Sequence, residues 1–401
     1  LVQRLRSGGV VLSGWFEPPP DGVALEAHLA TFISAADAEL IASHGFGHVR
    51  LPVEWTILAD PDQPTALRAG PLAQLDGAID LFTAHDLAVI VTPAGSYDTA
   101  LADARLRTNA IAFAGALAGH LAAHDPALVL VQVSDRPPID DPVAWAAVRD
   151  ELLLAMRAAA PLHTLVTATP MPAIDDGINA PPATWTSGTP ETFTALAPAL
   201  IENVVEALHF DEPPIFTGQG ETNGPAWAAL VHEVPYPASA TNVAPIAEAL
   251  AGEITDPAFS WIPDAIIDYG AVAWNRAVVE ARLAPVVAWA QKHDAVVLID
   301  AFGAMRGSPG SGPPSVSRHN WLRDVRRTAE GAGFGWTVDS YAGERGIAVG
   351  EPGRRAGDVG ALAALGVDLA PAMPQAIDRA LYRDALRGMW LATCIANWTG
   401  L

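Results

Sequence analysis

Short apolar runs, each closed by polar or turn-forming residues, recur along the chain between longer stretches whose apolar positions return every three or four residues. The first pattern predicts buried strands and the second predicts helices. Strands are expected at Val10–Trp15, His48–Val53, Leu87–Thr92, Leu128–Val133, Leu162–Ala168, Asn203–Phe210, Ala295–Ile299 and Gly335–Val338. Helices are expected at Ala35–His44, Leu72–His85, Asn109–His124, Trp145–Ala159, Thr192–Leu200, Arg276–Lys292, Asn320–Glu330 and Ala376–Trp390. Ser34 suits the N-cap of the first helix, and Pro161 closes the fourth.

Strand and helix alternate throughout, so the order predicts one α/β domain over residues 1–401, a (β/α)8 TIM barrel. A long insertion rich in Pro, Gly and Trp, from Asp211 to about Tyr269, follows the sixth strand. No glycine-rich phosphate loop follows the first strand, which argues against a doubly wound nucleotide-binding sheet. Gly307–Pro314 reads as a flexible loop after the seventh strand.

A barrel of this kind works at the C-terminal ends of its strands. The polar residues there are Arg50, Ser134–Asp135–Arg136, His209, Asp211–Glu212, Asp300 and Asp339. Charge narrows the choice of partner. Twenty-three basic residues stand against 45 acidic ones, a formal net charge of −22, which repels nucleic acid and anionic membrane surfaces. No apolar run has the length of a membrane span. Cys394 is the sole cysteine, which excludes an intrachain disulfide and a multi-cysteine zinc site. The chain opens on Leu1 rather than Met, which leaves export to a periplasmic or extracellular location, with a leader already removed, as an open expectation. The residue pattern calls for no cofactor.

Several segments together resemble glycoside hydrolase family 5, the family of many cellulases. VLSGWF near residue 12 is similar to its opening strand, and HVRLPV at His48–Val53 carries the arginine it places beneath the nucleophile. HFDEPPIFTGQG at His209–Gly220 resembles a bacterial subfamily's His-Phe-Tyr-Glu-Pro and Phe-Thr-His-Gln-Gly pattern. VPYP at Val234–Pro237, YGAVAWN at Tyr269–Asn275 and SRHNWLRDVRRTAE at Ser317–Glu330 belong to the same pattern. The resemblance implies the barrel fold, a saccharide partner and a place in polysaccharide metabolism.

The resemblance fails in the pocket. Retaining glycosidases of this kind use two carboxyl groups about 5 Å apart, one as nucleophile and one as acid/base. Arg136 stands at the acid/base position and Ala301 at the nucleophile position. Asp135 replaces an asparagine, Asp211 a tyrosine, Asp339 a sugar-platform tryptophan and Arg345 a phenylalanine. Pro93, Ala94 and Gly95 end the third strand where the family has a histidine. Arg50 and His209 remain from the pocket pattern.

Three readings of this set stay open. The new acids and arginines can fill an abandoned pocket as an ion-pair network, since an unpaired buried Arg50 would be costly. Asp135, Asp211 and Asp339 can form a relocated acid pair. Together with His209 they can hold a metal, which the neighbouring arginines disfavour. Asp300 adjoins the lost nucleophile and, by strand alternation, is expected to face a helix or loop. Trp15, Trp55, Trp227 and Trp261 are candidate sugar-stacking rings, with core packing as the commoner role of each. The resulting expectation is a non-hydrolytic saccharide-binding or scaffold pseudoenzyme; the alternative is an active hydrolase of a β-glucan-type polysaccharide using relocated aspartates.

Overall fold

The structure, a computed structural model, describes residues 1–170, 189–307 and 310–368. The barrel lies within the compact unit Leu1–Val367. The expected helix at Ala376–Trp390 and Cys394 lie outside the described residues, as do positions 308 and 309 of the Gly307–Pro314 loop.

Eight strands close a barrel in sequential order: β1 Gly9–Val11, β2 His48–Glu54, β3 Ala88–Ala94, β4 Val129–Gln132, β5 Thr164–Val166, β6 Val204–His209, β7 Val297–Phe302 and β8 Gly335–Val338. Neighbours run parallel, and β1 returns to β8. Their continuous apolar runs are buried throughout, as strands covered by helices require. The helices following the strands are α1 Ala35–Ser43, α2 Ala69–Thr83, α3 Arg107–Leu121, α4 Pro142–Ala159, α5 Thr189–Ala195, α6 Arg276–His293, α7 Ser315–Ala332 and α8 Val359–Ala364.

Local chemistry sets several helix ends. Ser34 and Asp37 form a reciprocal capping box on α1. Asp141 caps α4, with Pro142 in its first turn, and Asn275 caps α6. Gly333, at φ 74, ends α7. An additional short helix, Val2–Arg6, carries Leu5 into the apolar cluster of Ile90, Leu130, Val205 and Leu298 from the strands.

Three features differ from the pattern reading. The insertion after β6 is ordered by helices Pro214–Thr217, Ala240–Glu253 and Ile262–Val272, the last two packed on one another. Short helices follow strand ends at Trp55–Leu58 and Ser96–Ala102, each too brief to show a helical period. The third concerns β7, which runs three residues beyond Ile299 to Phe302 and changes register there: His209 pairs with Ala301, and Phe302 with Val338. Gly303 then passes against Asp339, whose carbonyl oxygen would lie 2.0 Å from a Cβ at that position. Only glycine permits that approach of the β7 and β8 ends.

Candidate functional site

Five strands contribute to a polar layer above the apolar barrel floor. Arg50 on β2 donates from Nε to Gln132 Oε1 on β4 at 2.8 Å and from Nη2 to Asp135 Oδ1 at 2.5 Å. Gln132 Oε1 also accepts from Thr92 on β3, and its Nε2 donates to Asp300 Oδ2 at 2.6 Å. Arg50 Nη2 lies 3.6 Å from the same Asp300 oxygen. His209 at the end of β6 lies between the two acids, Nε2 3.3 Å from Asp135 and Nδ1 3.2 Å from Asp300.

Alternation along β7 points Asp300 inward, because Leu298, two residues earlier, lies in the apolar floor cluster. Asp300 thereby meets Arg50 and His209, and the irregularity between Ile299 and Phe302 lets the next residue, Ala301, line the cavity as well. The expectation that Asp300 faces a helix or loop is corrected accordingly.

Charge in this layer is closely balanced. Burial opposes ionisation of Asp135, but Arg50, then His209, hold its carboxyl well below the usual range. Burial likewise opposes Asp300, and His209 and Arg50 outweigh it to lower that group. Burial also works against a charged His209, yet the adjoining Asp300 and Asp135 push it up to about 9. Asp98 lies behind the layer and accepts from the Ser134 hydroxyl and, at 3.1 Å, from the Asp135 N–H. Burial first, then the Asp135 charge, push Asp98 up to about 7.

A second ion-pair set closes over this layer. Arg136 Nη2 donates to Asp211 Oδ2 at 3.3 Å, and its Nε lies 3.9 Å from Asp135. Arg345 Nη1 stands 3.5 Å from the other Asp211 oxygen, and its Nη2 donates to Glu221 at 3.1 Å. Asp339 accepts from the Ser13 hydroxyl at 3.1 Å. Buried Arg318, in the Ser317–Glu330 motif, donates to the carbonyls of Ala304, Arg345 and Gly346 and so ties down the loops after β7 and β8.

Between the two layers opens a cavity of about 280 Å³, lined by Glu17, Glu54, Arg50, Asp135, Arg136 and Asp339 among others. It shares Ser13, Glu17, Pro18 and Asp339 with a larger groove of about 1110 Å³ that runs past Phe32, Glu221, Arg345 and Arg355. Glu54 is committed to local structure: it accepts from the N–H groups of Thr56 and Ser96 at 3.1 and 3.0 Å. Glu17 accepts only one backbone N–H, from Gly14 at 2.9 Å, among the described residues. Burial, and to a lesser degree Asp135, Asp339 and Glu54, raise its pKa.

The sequence candidates therefore divide. Arg50, Asp135, Arg136, His209, Asp211, Asp300, Ala301, Asp339 and Arg345 converge on the barrel mouth. The tryptophans do not. Trp15 is 4% exposed and donates to the Leu29 carbonyl; Trp55 is 1% exposed and packs on Tyr97 and Phe113. Trp227 and Trp261 pack edge-on, their rings 6.2 Å apart. Among the described residues no Trp, Tyr or Phe ring lines the small cavity. A metal among Asp135, Asp211, Asp339 and His209 is also poorly served, because arginines hold the first two carboxylates. Glu212 of the same motif faces away, clamped by Arg282 at 2.5 and 2.9 Å. Sequence reasoning missed Glu17, Glu54, Asp98 and Gln132. Only Gln132, a polar residue within an apolar strand, carried a visible signal.

No protein-family model matches the chain. Over 83 residues it is 30% identical to Endoglucanase C of Acetivibrio thermocellus and to Endoglucanase C307 of Clostridium sp. strain F1. That segment is 21% of this chain and 24% of either relative, so the match spans about a quarter of their length. Solved structures align far more extensively. The cellulose synthase subunit Z of Clostridioides difficile aligns at TM-score 0.66 and 17% identity, covering 90% of this chain and 99% of that one. Endoglucanase Cel5A of Thermotoga maritima aligns at TM-score 0.67 and 16% identity, covering 91% and 98%; structures of it hold mannotriose and cellobiose. The GH5-4 broad-specificity endoglucanase of Clostridium longisporum aligns at TM-score 0.61 and 12% identity, covering 91% and 96%. The fold is that of a glycoside hydrolase family 5-like barrel.

Proposed function

We propose that this barrel binds saccharide without hydrolysing it and serves as a recognition or scaffold component in polysaccharide metabolism. The observation that carries the reading is the Arg136–Asp211 ion pair at the end of β4, opposite a methyl side chain, Ala301, on β7. Retaining hydrolysis needs a group there that gives and takes a proton, and a facing nucleophile. A guanidinium stays protonated and an alanine offers no lone pair. The groove of about 1110 Å³ leaves room for an oligosaccharide along the mouth. Its polar lining suits hydroxyl recognition, and Phe32 offers an apolar surface.

One observation favours a second reading, hydrolysis by relocated acids. Asp339 faces the cavity with Glu17 and has no ion-pair partner among the described residues. Calorimetric titration of the full chain with cellohexaose and mannohexaose, with chromatography of the same mixtures, separates the two. Saturable heat with intact oligosaccharide is expected. Shorter products whose release stops in Asp339→Asn would overturn the non-hydrolytic reading in favour of the relocated acids.

A further inference from the structure

We propose that Asp76, His120 and His124 form a binding site for a divalent transition metal of the zinc class, on the helical ring and away from the barrel mouth. Asp76 lies on α2, His120 in the last turn of α3, and His124 just beyond that helix. The Nε2 atoms of His120 and His124 both point at the same oxygen, Asp76 Oδ1, at 2.8 and 3.0 Å. One ligand atom from each residue lies within 4.8 Å of the others. A tetrahedral zinc ion with bonds of about 2.0–2.1 Å holds its ligand atoms roughly 3.3–3.5 Å apart. The two Asp76–histidine distances would open by about half an ångström to admit the ion, with the imidazole nitrogens, no more than 4.8 Å apart, settling around it.

The donor set selects the metal. Two imidazoles with one carboxylate suit Zn²⁺ or Co²⁺; Mg²⁺ and Ca²⁺ take oxygen ligands. The histidines sit four residues apart, one in the last turn of α3 and one just past it, and both imidazoles reach the same Asp76 oxygen. Side-chain exposures of 37%, 28% and 16% for Asp76, His120 and His124 leave an entry path and a fourth position for water. A strongly acidic chain also concentrates cations near its surface. Without metal the same groups make a carboxylate with two imidazole donors. Metal entry requires each histidine to present an unprotonated Nε2 to the ion. The bound ion would tie the end of α3 to α2.

The test uses the full chain without a histidine tag, stripped with a chelator and titrated calorimetrically with Zn²⁺, and with Co²⁺ followed by visible absorption. One equivalent is expected to bind, with no saturable Mg²⁺ or Ca²⁺ heat, and Zn²⁺ is expected to raise Tm. His120→Ala and His124→Ala should abolish uptake, and Asp76→Asn should weaken it at least tenfold. His124→Gln keeps a hydrogen-bond donor for Asp76, so loss of uptake in that folded variant isolates coordination from packing. Absence of saturable Zn²⁺ uptake, or uptake unchanged across these variants, would overturn the site. The result is independent of the saccharide reading.

Discussion

Arg136, just beyond β4, reaches across the barrel mouth to Asp211, just beyond β6, with 3.3 Å between Nη2 and Oδ2. The two replace an acid and a tyrosine of the pattern that the sequence resembles, and they hold each other. The Arg136 side chain is 36% exposed and that of Asp211 10%, so solvent screens part of the attraction. Arg136→Ala leaves Asp211 with Arg345 at 3.5 Å as remaining compensation. Its expected cost is about 1 kcal/mol, toward the exposed-pair range rather than the 3–5 kcal/mol of a fully buried one. Urea unfolding of wild type and variant measures this. A variant as stable as wild type would show that the pair fills space without stabilising the mouth.

Restoring the two glutamates, Arg136→Glu with Ala301→Glu, is expected to give no cellulase-level turnover. Arg136 currently offsets acids on three sides, with Asp211 at 3.3 Å, Asp135 at 3.9 Å and Asp339 also facing the cavity. Its replacement by glutamate adds a carboxylate where a cation is lost, and like charges in such a site raise each other's pKa rather than separate into an ionised nucleophile and a protonated acid. A catalytic pair also needs neighbours that hold it within about half an ångström of its working geometry. Reducing-end release from cellohexaose measures the outcome. Robust turnover by the double variant would mean that the remaining mouth is still competent.

The barrel was legible because its strands are apolar runs, a local signal that repeats eight times; the helices were legible between them except after β8, where Val359–Ala364 is too short to show a period and the expected Ala376–Trp390 lies outside the described residues. The position of the site was legible because barrel strands expose their polar ends on one face. Two things were not. Asp300 reads as outward when Ala301 is placed as the inward residue; in the barrel Asp300 follows Leu298 inward and Ala301 reaches the cavity through the irregularity after Ile299, a property of strand pairing that the sequence does not display. Trp15 and Trp55 lie close to strand ends in sequence, yet their rings turn into helix-packed core, where Leu29, Tyr97 and Phe113 receive them. Proximity to a strand end fixes a residue's Cα near the mouth and leaves its side chain free to point either way. Glu17 was missed for the complementary reason: it sits on a loop after β1, where no period marks an inward face.

Glu17→Gln is expected to stabilise the protein at neutral pH. Burial, then the charges of Asp135, Asp339 and Glu54, raise the Glu17 pKa above its ordinary value, against one opposing N–H from Gly14. A carboxyl raised on folding disfavours the folded state once ionised, so stability falls as pH rises from the unfolded value through the folded one. Glutamine keeps an oxygen for the Gly14 N–H and removes the charge. The variant should therefore gain on wild type as pH rises from 4 to 7 in parallel thermal melts. A constant difference across that range would mean that Glu17 does not feel its acidic neighbours.

The His209 imidazolium between Asp135 and Asp300 gives the opposite sign in a higher window. His209 is 1% exposed, and its neighbours push it up to about 9 from an ordinary value of about 6.5. Below about pH 6.5 the ring is protonated in both states, and its attraction to the two carboxylates contributes fully to folding. Above that value the unfolded chain releases the proton while the folded one keeps it, so the contribution declines and is gone once pH passes about 9. A displacement of about 2.5 pH units corresponds to about 3 kcal/mol. His209→Gln cannot carry this charge and leaves Asp300 to Arg50, and Asp135 to Arg50 and the more distant Arg136. The stability gap between wild type and variant should be widest near pH 6 and narrow by about 3 kcal/mol toward pH 9.5 in urea unfolding. Asp98, at about 7, titrates within the same range in both proteins, so the gap rather than either curve is the informative quantity. A gap that stays constant from pH 6 to 9.5 would mean that His209 is neutral in the folded barrel, and that Arg50 and Arg136 balance Asp135 and Asp300 without it.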